Sequence, residues 1–297
     1  MTVADDSQAT MRDRDGGPLG IVCGGGSLPF AVAEAARTRG RRVVLLALRN
    51  AADGRAVAAY PHHWIRLGEV GRCLRLLRAE GCRDVVFIGS VLRPTPFQLW
   101  PDFGALRNLP LLLRSFRGGD AHLLAGIAHV FERAGFRLLA AHDVAPAILL
   151  PQGALGRIRP GARDDADIAR GLALLRAIGP FDVGQAVVVA DNRVLAIEAA
   201  EGTDQMLAKL AEWRRLGRLH ASSGAGVLVK APKPGQDQRI DLPSIGPQTV
   251  AGAAAAGLSG IAAVAGATLV AEPEQTAAAA ADAGLFVVGV TADGRMP

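Results

Sequence analysis

From residue 19 onward, short β-branched apolar runs alternate with stretches whose apolar residues recur every three or four positions. Residues 19–23 read as a buried strand, Gly24-Gly25-Gly26-Ser27 as its exit loop, and 30–39 as a helix. Pro29 stands in the first turn, where a missing N–H costs nothing. Strands are predicted at 42–48, 64–67 and 84–88, with an amphipathic helix at 70–80 between the last two. Residues 111–116 and 120–135 carry a helical period, 137–140 a strand pattern, and His142-Asp143 opens a loop. Residues 151–165 are rich in Pro, Gly, Arg and Asp and have little periodicity, which is the composition of a connector. Beyond them come a helix at 167–178, strands at 186–190 and 194–199 joined by Asp191-Asn192-Arg193, and a helix at 205–216. A strand at 227–230, a helix at 247–257 and strands near 260–264, 268–270 and 285–290 complete the pattern.

Strand–helix alternation at this spacing predicts two α/β domains. The first is Rossmann-like with a mostly parallel sheet, and the second has a mixed sheet. The expected division is a flexible terminus at 1–18, a first domain at 19–145, a linker at 146–165 and a second domain at 166–297. Ligands on such sheets bind beyond the carboxyl ends of strands, where Gly24–Ser27 and Gly89-Ser90-Val91-Leu92-Arg93-Pro94 fall.

Composition narrows the partners. The chain has 297 residues, half of them hydrophobic and 21% charged, so it is globular and not disordered. Aromatics are 4%, with a single Tyr, which argues against a base-stacking platform for nucleic acid. A net charge of +5 suits an anionic substrate or an anionic membrane face, and equally an Arg-rich proteome. Three cysteines without CxxC spacing and six scattered histidines give no zinc pattern, and fit a reducing, cytosolic setting. The first 18 residues lack an apolar core, so no signal peptide is expected. The apolar stretch at 250–270 is broken by Gly252, Gly257, Gly260 and Gly266 and reads as a helix followed by a strand, not a membrane span.

The densest chemistry lies in Val227-Leu228-Val229-Lys230-Ala231-Pro232-Lys233-Pro234-Gly235-Gln236-Asp237-Gln238-Arg239-Ile240-Asp241-Leu242-Pro243. Prolines at 232, 234 and 243 deny this segment a helix and restrict its backbone. Lys230, Lys233 and Arg239 suit phosphate oxygens, while Asp237 and Asp241 suit Mg²⁺ or the orientation of water. The alternative is a solvated, salt-bridged turn. Glu198, Glu201 and Asp204 recur at i, i+3 and i+6 where a strand meets a helix; Thr203 or Asp204 fits an N-cap, and the remaining carboxylates fit Mg²⁺ better than zinc. Asp182 and Gln185 precede a strand and can reach the same face as those carboxylates, although a turn-stabilising role is the simpler account of Asp182. The triple glycine is neither GxGxxG nor GxxxxGK[ST], and serves a phosphate cradle or a bare turn equally well. Gly118-Gly119-Asp120 reads as a helix cap, and the lone His122 and His142 as structural groups.

Taken in order, Gly24-Gly25-Gly26-Ser27-Leu28-Pro29, Gly89-Ser90 with Arg93-Pro94, Asp182-Val183-Gly184-Gln185, Glu198 to Asp204 and Lys230 to Pro243 resemble the LpxI-type UDP-2,3-diacylglucosamine pyrophosphatases of lipid A biosynthesis. The resemblance runs from about residue 19 to 290. It implies a Mg²⁺-dependent hydrolase that releases UMP and 2,3-diacylglucosamine 1-phosphate (lipid X), working in the cytoplasm at the inner membrane surface. It also implies a sheltered apolar place for two acyl chains near the domain junction, and leaves a homodimer open. Carried onto this chain, the catalytic set is Lys233, Gln236 and Asp237. The substrate-binding set is Gly25, Gly26, Ser27, Leu28, Gly89, Ser90, Arg93, Asp120, Gln185, Gly202, Thr203, Lys230 and Arg239. The Mg²⁺ set is Glu198, Glu201, Asp204 and Asp241. Ala225, in the small-residue stretch Ser222-Ser223-Gly224-Ala225-Gly226, is expected beside the lysine loop; if it stands where relatives carry an acid, turnover is impaired. Competing readings are a UDP-sugar-binding transferase and a non-catalytic carrier of an acylated nucleotide sugar.

Overall fold

The strand of residues Leu19–Cys23 (β1) is buried at every position, so it needs neighbours on both edges and cover on both faces. In the computed structural model, which describes residues 17–91, 120–219 and 224–294, it has them. Two compact units divide the chain at Ala145/Pro146.

In the first unit, α1 (Leu28–Thr38), β2 (Val43–Leu48), α2 (Gly54–Val57), β3 (His62–Ile65), α3 (Val70–Ala79) and β4 (Asp84–Ile88) follow β1. Then come α4 (Asp120–Arg133), β5 (Arg137–Leu138) and α5 (Ala141–Val144). The sheet runs β3-β2-β1-β4-β5 and every pair is parallel. Strand order reverses between β1 and β4, the switch point where the Rossmann-like expectation places a crevice. The expected loop at 142–143 is the short helix α5, and α2 has no apolar period to announce it. Asp53 caps α2 by accepting from the N–H groups of Arg55 and Ala56. The expected helix at 111–116 lies outside the described residues.

Asp84 opens β4 and is 3% exposed. Arg41 pairs with it, and Arg137 donates through Nε to Oδ1 at 2.7 Å and Nη2 to Oδ2 at 2.8 Å. Burial alone would raise the carboxyl; the hydrogen bonds and charges of Arg137 and Arg41 outweigh it and hold Asp84 below the usual range. All three cysteines (Cys23, Cys73 and Cys82) are buried in this unit. Burial pushes the thiols of Cys23 and Cys82 up to about 11.

In the second unit, a 3₁₀ turn (Pro146–Ile148) and β6 (Gly153–Ala154) precede α6 (Ala162–Ile178) and a 3₁₀ turn at Gly179–Phe181. β7 (Ala186–Ala190), β8 (Arg193–Ile197), α7 (Gly202–Arg215), β9 (Val227–Lys230), β10 (Ser244–Ile245) and α8 (Pro247–Ala255) follow. β11 (Gly260–Val264), β12 (Leu269–Val270), α9 (Pro273–Asp282) and β13 (Phe286–Val290) complete it. The main sheet runs β6-β13-β11-β9-β7-β8. β13, β11 and β9 are parallel; β7, β8 and β6 are antiparallel to their neighbours. The mixed sheet expected from sequence is present.

Strand alternation divides the core. Ala186, Val188 and Leu228 pack with Met206, Leu207 and Leu210 of α7 and Val250 and Ala253 of α8. Val187, Val189, Val227 and Val229 pack with Ile168, Leu172 and Leu175 of α6. Residues 146–165, expected as a linker, belong instead to this unit. Leu150 is fully buried, β6 pairs with β13, and α6 already begins at Ala162. The Pro- and Gly-rich composition disguised an edge strand too short to show a period.

Asp84→Ala should destabilise the first unit by about 3 kcal/mol, because it removes the carboxylate that neutralises the well-buried Arg41. A depressed folded pKa stabilises above the unfolded value and loses that contribution as pH falls through the folded one. The gap between wild type and variant in urea unfolding should therefore be full above about pH 4 and close below it. A gap that does not narrow at all as pH falls below about 4 contradicts the ion-pair account.

Candidate active site

β9 ends at Lys230, and its carboxyl end carries two polar clusters, one on each face of the sheet. Lys230 has the parity of Leu228, so it turns toward α7 and α8. It is only 6% exposed. Its ammonium donates to Thr203 Oγ1 and to the Ser244 carbonyl, both at 2.9 Å. Thr203 in turn donates to Glu198 Oε1 at 2.6 Å, and Glu198 Oε2 accepts the Gln185 N–H at 2.8 Å. Burial pushes the Lys230 ammonium down from its ordinary pKa, against the opposing pull of Glu198 and Asp204. The chain Glu198–Thr203–Lys230–Ser244 ties β8, α7, β9 and β10 at one place.

The second cluster lies on the α6 side. Lys233 Nζ forms an ion pair with Asp182, and the Lys233 N–H donates to Gln236 Oε1 at 2.9 Å. Asp182 has a left-handed backbone (φ 52°, ψ 38°) at the end of the 3₁₀ turn after α6. That conformation suits Asp and reverses the chain tightly, leaving Phe181 78% exposed while the carboxylate meets Lys233. Two glycines permit the approach. A Cβ on Gly179 would stand 2.5 Å from Pro234 Cδ, and one on Gly184 would stand 2.1 Å from the Glu198 carbonyl oxygen. Farther along the loop, Arg239 donates to Asp237 through Nε (3.0 Å) and Nη2 (2.8 Å). Those hydrogen bonds hold the Asp237 carboxyl below its ordinary range. Asp237 also anchors a turn, its carbonyl accepting from Ile240 and Asp241.

The structure thus gathers Lys230 with Thr203, Glu198 and the Gln185 N–H, and Lys233 with Asp182 and Gln236, while Asp237 and Arg239 pair with each other farther along the loop after β9. Gly202 opens α7 with φ +80°, and Glu201, not Thr203 or Asp204, stands at its N-cap. No side chain caps this helix, and Thr203, within its first turn, donates its hydroxyl proton to Glu198. Ala225 is elsewhere. It is 3% exposed and precedes the amino end of β9, across the sheet from Lys230. Three residue steps of strand alone separate Val227 from Lys230 by about 10 Å. Residue 225 thus stands beyond the amino end of β9, and Lys230 at its carboxyl end.

In the first unit, the loops after β1 and β4 clip each other. The Gly25 N–H donates to the Ser90 carbonyl at 2.8 Å, and the Ser90 N–H to Gly25 at 3.0 Å. A Cβ on Gly24 or Gly89 would come within 2.8 Å of backbone atoms, so these glycines are required by packing. Gly26, with φ +85°, has open space around it, and Ser27 makes no side-chain cap bond to α1. Leu28 is a core residue of α1 and contributes packing. Arg93 lies outside the described residues, as does the side chain of Asp120.

The expected Mg²⁺ carboxylates do not form a cage. Both oxygens of Glu198 are engaged, Asp204 Oδ2 accepts from Gln248 Nε2 at 3.1 Å, and Glu201 is exposed. Among the described residues no three His, Cys, Asp or Glu side chains are grouped to hold an ion. These carboxylates form no preformed Mg²⁺ cage among the described residues. The participants missed in the sequence are Gly179, the Ser244 carbonyl and the pairing role of Asp182, and Gly184 appears there only within its motif, with no role of its own. Only the glycines left a signal, by flanking an aspartate just before a strand.

Gly184→Ala should cost about 2 kcal/mol or more in stability, since the clash is with backbone and the Gln185–Glu198 bond must open. Denaturant midpoints measure it; a neutral substitution would contradict the close approach.

Two family models divide the chain much as the structure does. The LpxI N-terminal domain matches residues 18–148 and the LpxI C-terminal domain residues 151–288. A protein of Caulobacter vibrioides named UDP-2,3-diacylglucosamine pyrophosphatase LpxI is 44% identical over 272 residues, covering 92% of this chain and 97% of the relative. A crystal structure of UDP-glucose-4-epimerase from Stenotrophomonas maltophila, with bound NAD and formylated UDP-arabinopyranose, matches over 94% of this chain and 95% of its own at 12% identity. Its TM-score is 0.30, and nothing is drawn from it. Both halves match in order and the relative is similar over nearly its whole length, so the chain belongs to the LpxI family.

Proposed function

We propose that this chain hydrolyses the pyrophosphate bond of UDP-2,3-diacylglucosamine, yielding UMP and 2,3-diacylglucosamine 1-phosphate. The observation that carries the reading is the 44% identity, spread over both domains, to a protein named for that activity. The carboxyl end of β9 supports it chemically. Hydrolysis of a diphosphate needs positive charge on the non-bridging oxygens and a positioned water. Lys233 and Arg239 supply the charge, and each is held by a carboxylate that fixes its direction. Asp237 stays ionised through the working pH range, so it orients a water by accepting its hydrogen bond, while its low basicity makes it a weak proton acceptor. Lys230, enclosed by Thr203 and Ser244, positions the loop and does not reach out to phosphate.

Mg²⁺ enters the proposal as an ion carried by the diphosphate, since Mg²⁺ commonly binds one or two carboxylates together with phosphate oxygens. It would supply charge neutralisation. The substrate is a lipid, and among the described residues no helix is long and apolar enough to cross a membrane. Contact with the membrane is therefore proposed from one side, at the cytoplasmic face of the inner membrane.

Incubation with UDP-2,3-diacylglucosamine should release UMP without any acceptor; tight binding without release would favour a carrier. Lys233→Ala and Asp237→Ala should each slow release by about 100-fold or more, with melting temperatures changed far less. Near-normal turnover in both removes the assignment. EDTA should stop turnover and Mg²⁺ restore it, while Mg²⁺ without substrate should leave the melting temperature where it was. A clear rise with Mg²⁺ alone would reveal a resident site and contradict the carried-ion reading.

A further inference from the structure

Three buried polar atoms at the α6-side cluster have no partner in the protein: Asp182 Oδ2, Gln185 Oε1 and Gln236 Nε2. They sit on two segments joined by the Lys233–Asp182 ion pair and by the Ala231 N–H donating to the Gln185 carbonyl at 3.0 Å. Gln185 precedes Ala186, whose side chain lies in the α7–α8 core, so strand alternation turns Gln185 toward α6, the side of Asp182 and Lys233. Each such atom left bare carries an uncompensated desolvation cost, which makes a concentration of them at one place informative.

Their chemistry constrains what pairs them. Gln236 Nε2 offers N–H donors, and the Lys233 ammonium has donors beyond the one used by Asp182. Asp182 Oδ2 and Gln185 Oε1 are acceptors and need donors. An ionised phosphate supplies acceptors only, so it would satisfy Lys233 and Gln236 and leave the other two bare. A bare sugar would leave the ammonium without its anion. Both halves are met by a phosphate ester with a hydroxyl or amide N–H a few bonds away. We infer that Asp182, Gln185, Lys233 and Gln236 form a subsite for a sugar phosphate, with Lys233 and Gln236 on the phosphate and Asp182 and Gln185 on the donors of the adjacent ring.

The ring's identity rests on the proposed function, which offers two sources of the same chemistry, the ribose of the nucleotide and the glucosamine of the lipid. The pairing logic rests on the unpartnered atoms alone. Gln185 is then a specificity-determining residue. Its side-chain oxygen distinguishes a sugar phosphate from phosphate itself.

Calorimetric titration with UMP, N-acetylglucosamine 1-phosphate and inorganic phosphate tests this on the full chain. Wild type should bind at least one sugar phosphate more tightly than inorganic phosphate. Gln185→Met keeps the length of the side chain and removes the acceptor; it should weaken that sugar phosphate about tenfold and leave inorganic phosphate unchanged. Loss confined to UMP assigns the ribose, and loss confined to N-acetylglucosamine 1-phosphate assigns the amino sugar. Gln185→Glu keeps an acceptor and should keep the preference for sugar phosphate over phosphate, which guards against a folding defect in the methionine variant. Unchanged affinities in Gln185→Met would mean that water satisfies the oxygen, and would overturn the subsite. Equal weakening of all three probes, or no preference in wild type, would overturn it too. These outcomes are independent of UMP release. A hydrolase with unaffected Gln185→Met binding keeps its function and loses the subsite, whereas a chain that binds through Gln185 without turnover does the reverse.

Discussion

An ammonium group cannot be left bare inside a protein, and Lys230 is buried at the end of the central strand of the second sheet. Oxygens must be brought to it, and each comes from a different element. Thr203 belongs to the first turn of α7 and the Ser244 carbonyl to β10, while Glu198, at the end of β8, stands behind Thr203. The requirement fixes where three chain segments stop and turn. With Lys230 anchored, the following Ala231–Gln236 loop leaves the sheet at one defined place, which puts Lys233 within reach of Asp182.

The first unit solves the same problem at the other end of its strands. Asp84 is a buried anion at the amino end of β4, and Arg41 and Arg137 arrive from opposite sides of it. At the carboxyl ends of β1 and β4 the two loops meet through the paired backbone hydrogen bonds of Gly25 and Ser90. In both units a paired ion fixes the strands while glycines allow the loops to approach.

Most of the architecture was legible because its strands are continuous buried runs. β1, β2, β7, β9, β11 and β13 are buried at every position, and such runs bounded by glycine and proline read directly as core strands. β6 escaped because two residues, Gly153 and Ala154, carry no pattern; pairing to Val288 and Gly289 makes them a strand. The charged loop after β9 was legible from its density of proline, glycine and charge. Its partner was not, because Lys233 and Asp182 are 51 positions apart and a long-range ion pair leaves no mark on either stretch. Glu198 was read as a metal ligand since a carboxylate looks the same whether a metal ion or hydrogen-bond donors will meet it.

The cysteines give the molecule an unplanned asymmetry. All three thiols of the chain are in the first unit, enclosed by its core, and the second unit has none. With Cys23 and Cys82 pushed up to about 11, only about one thiol in ten thousand is ionised at neutral pH while the fold is closed. Opening the core restores both solvent access and an ordinary thiol acidity. A thiol-directed reagent therefore acts as a clock on one half of the protein, ticking when the first sheet opens and silent to anything that happens around Lys230.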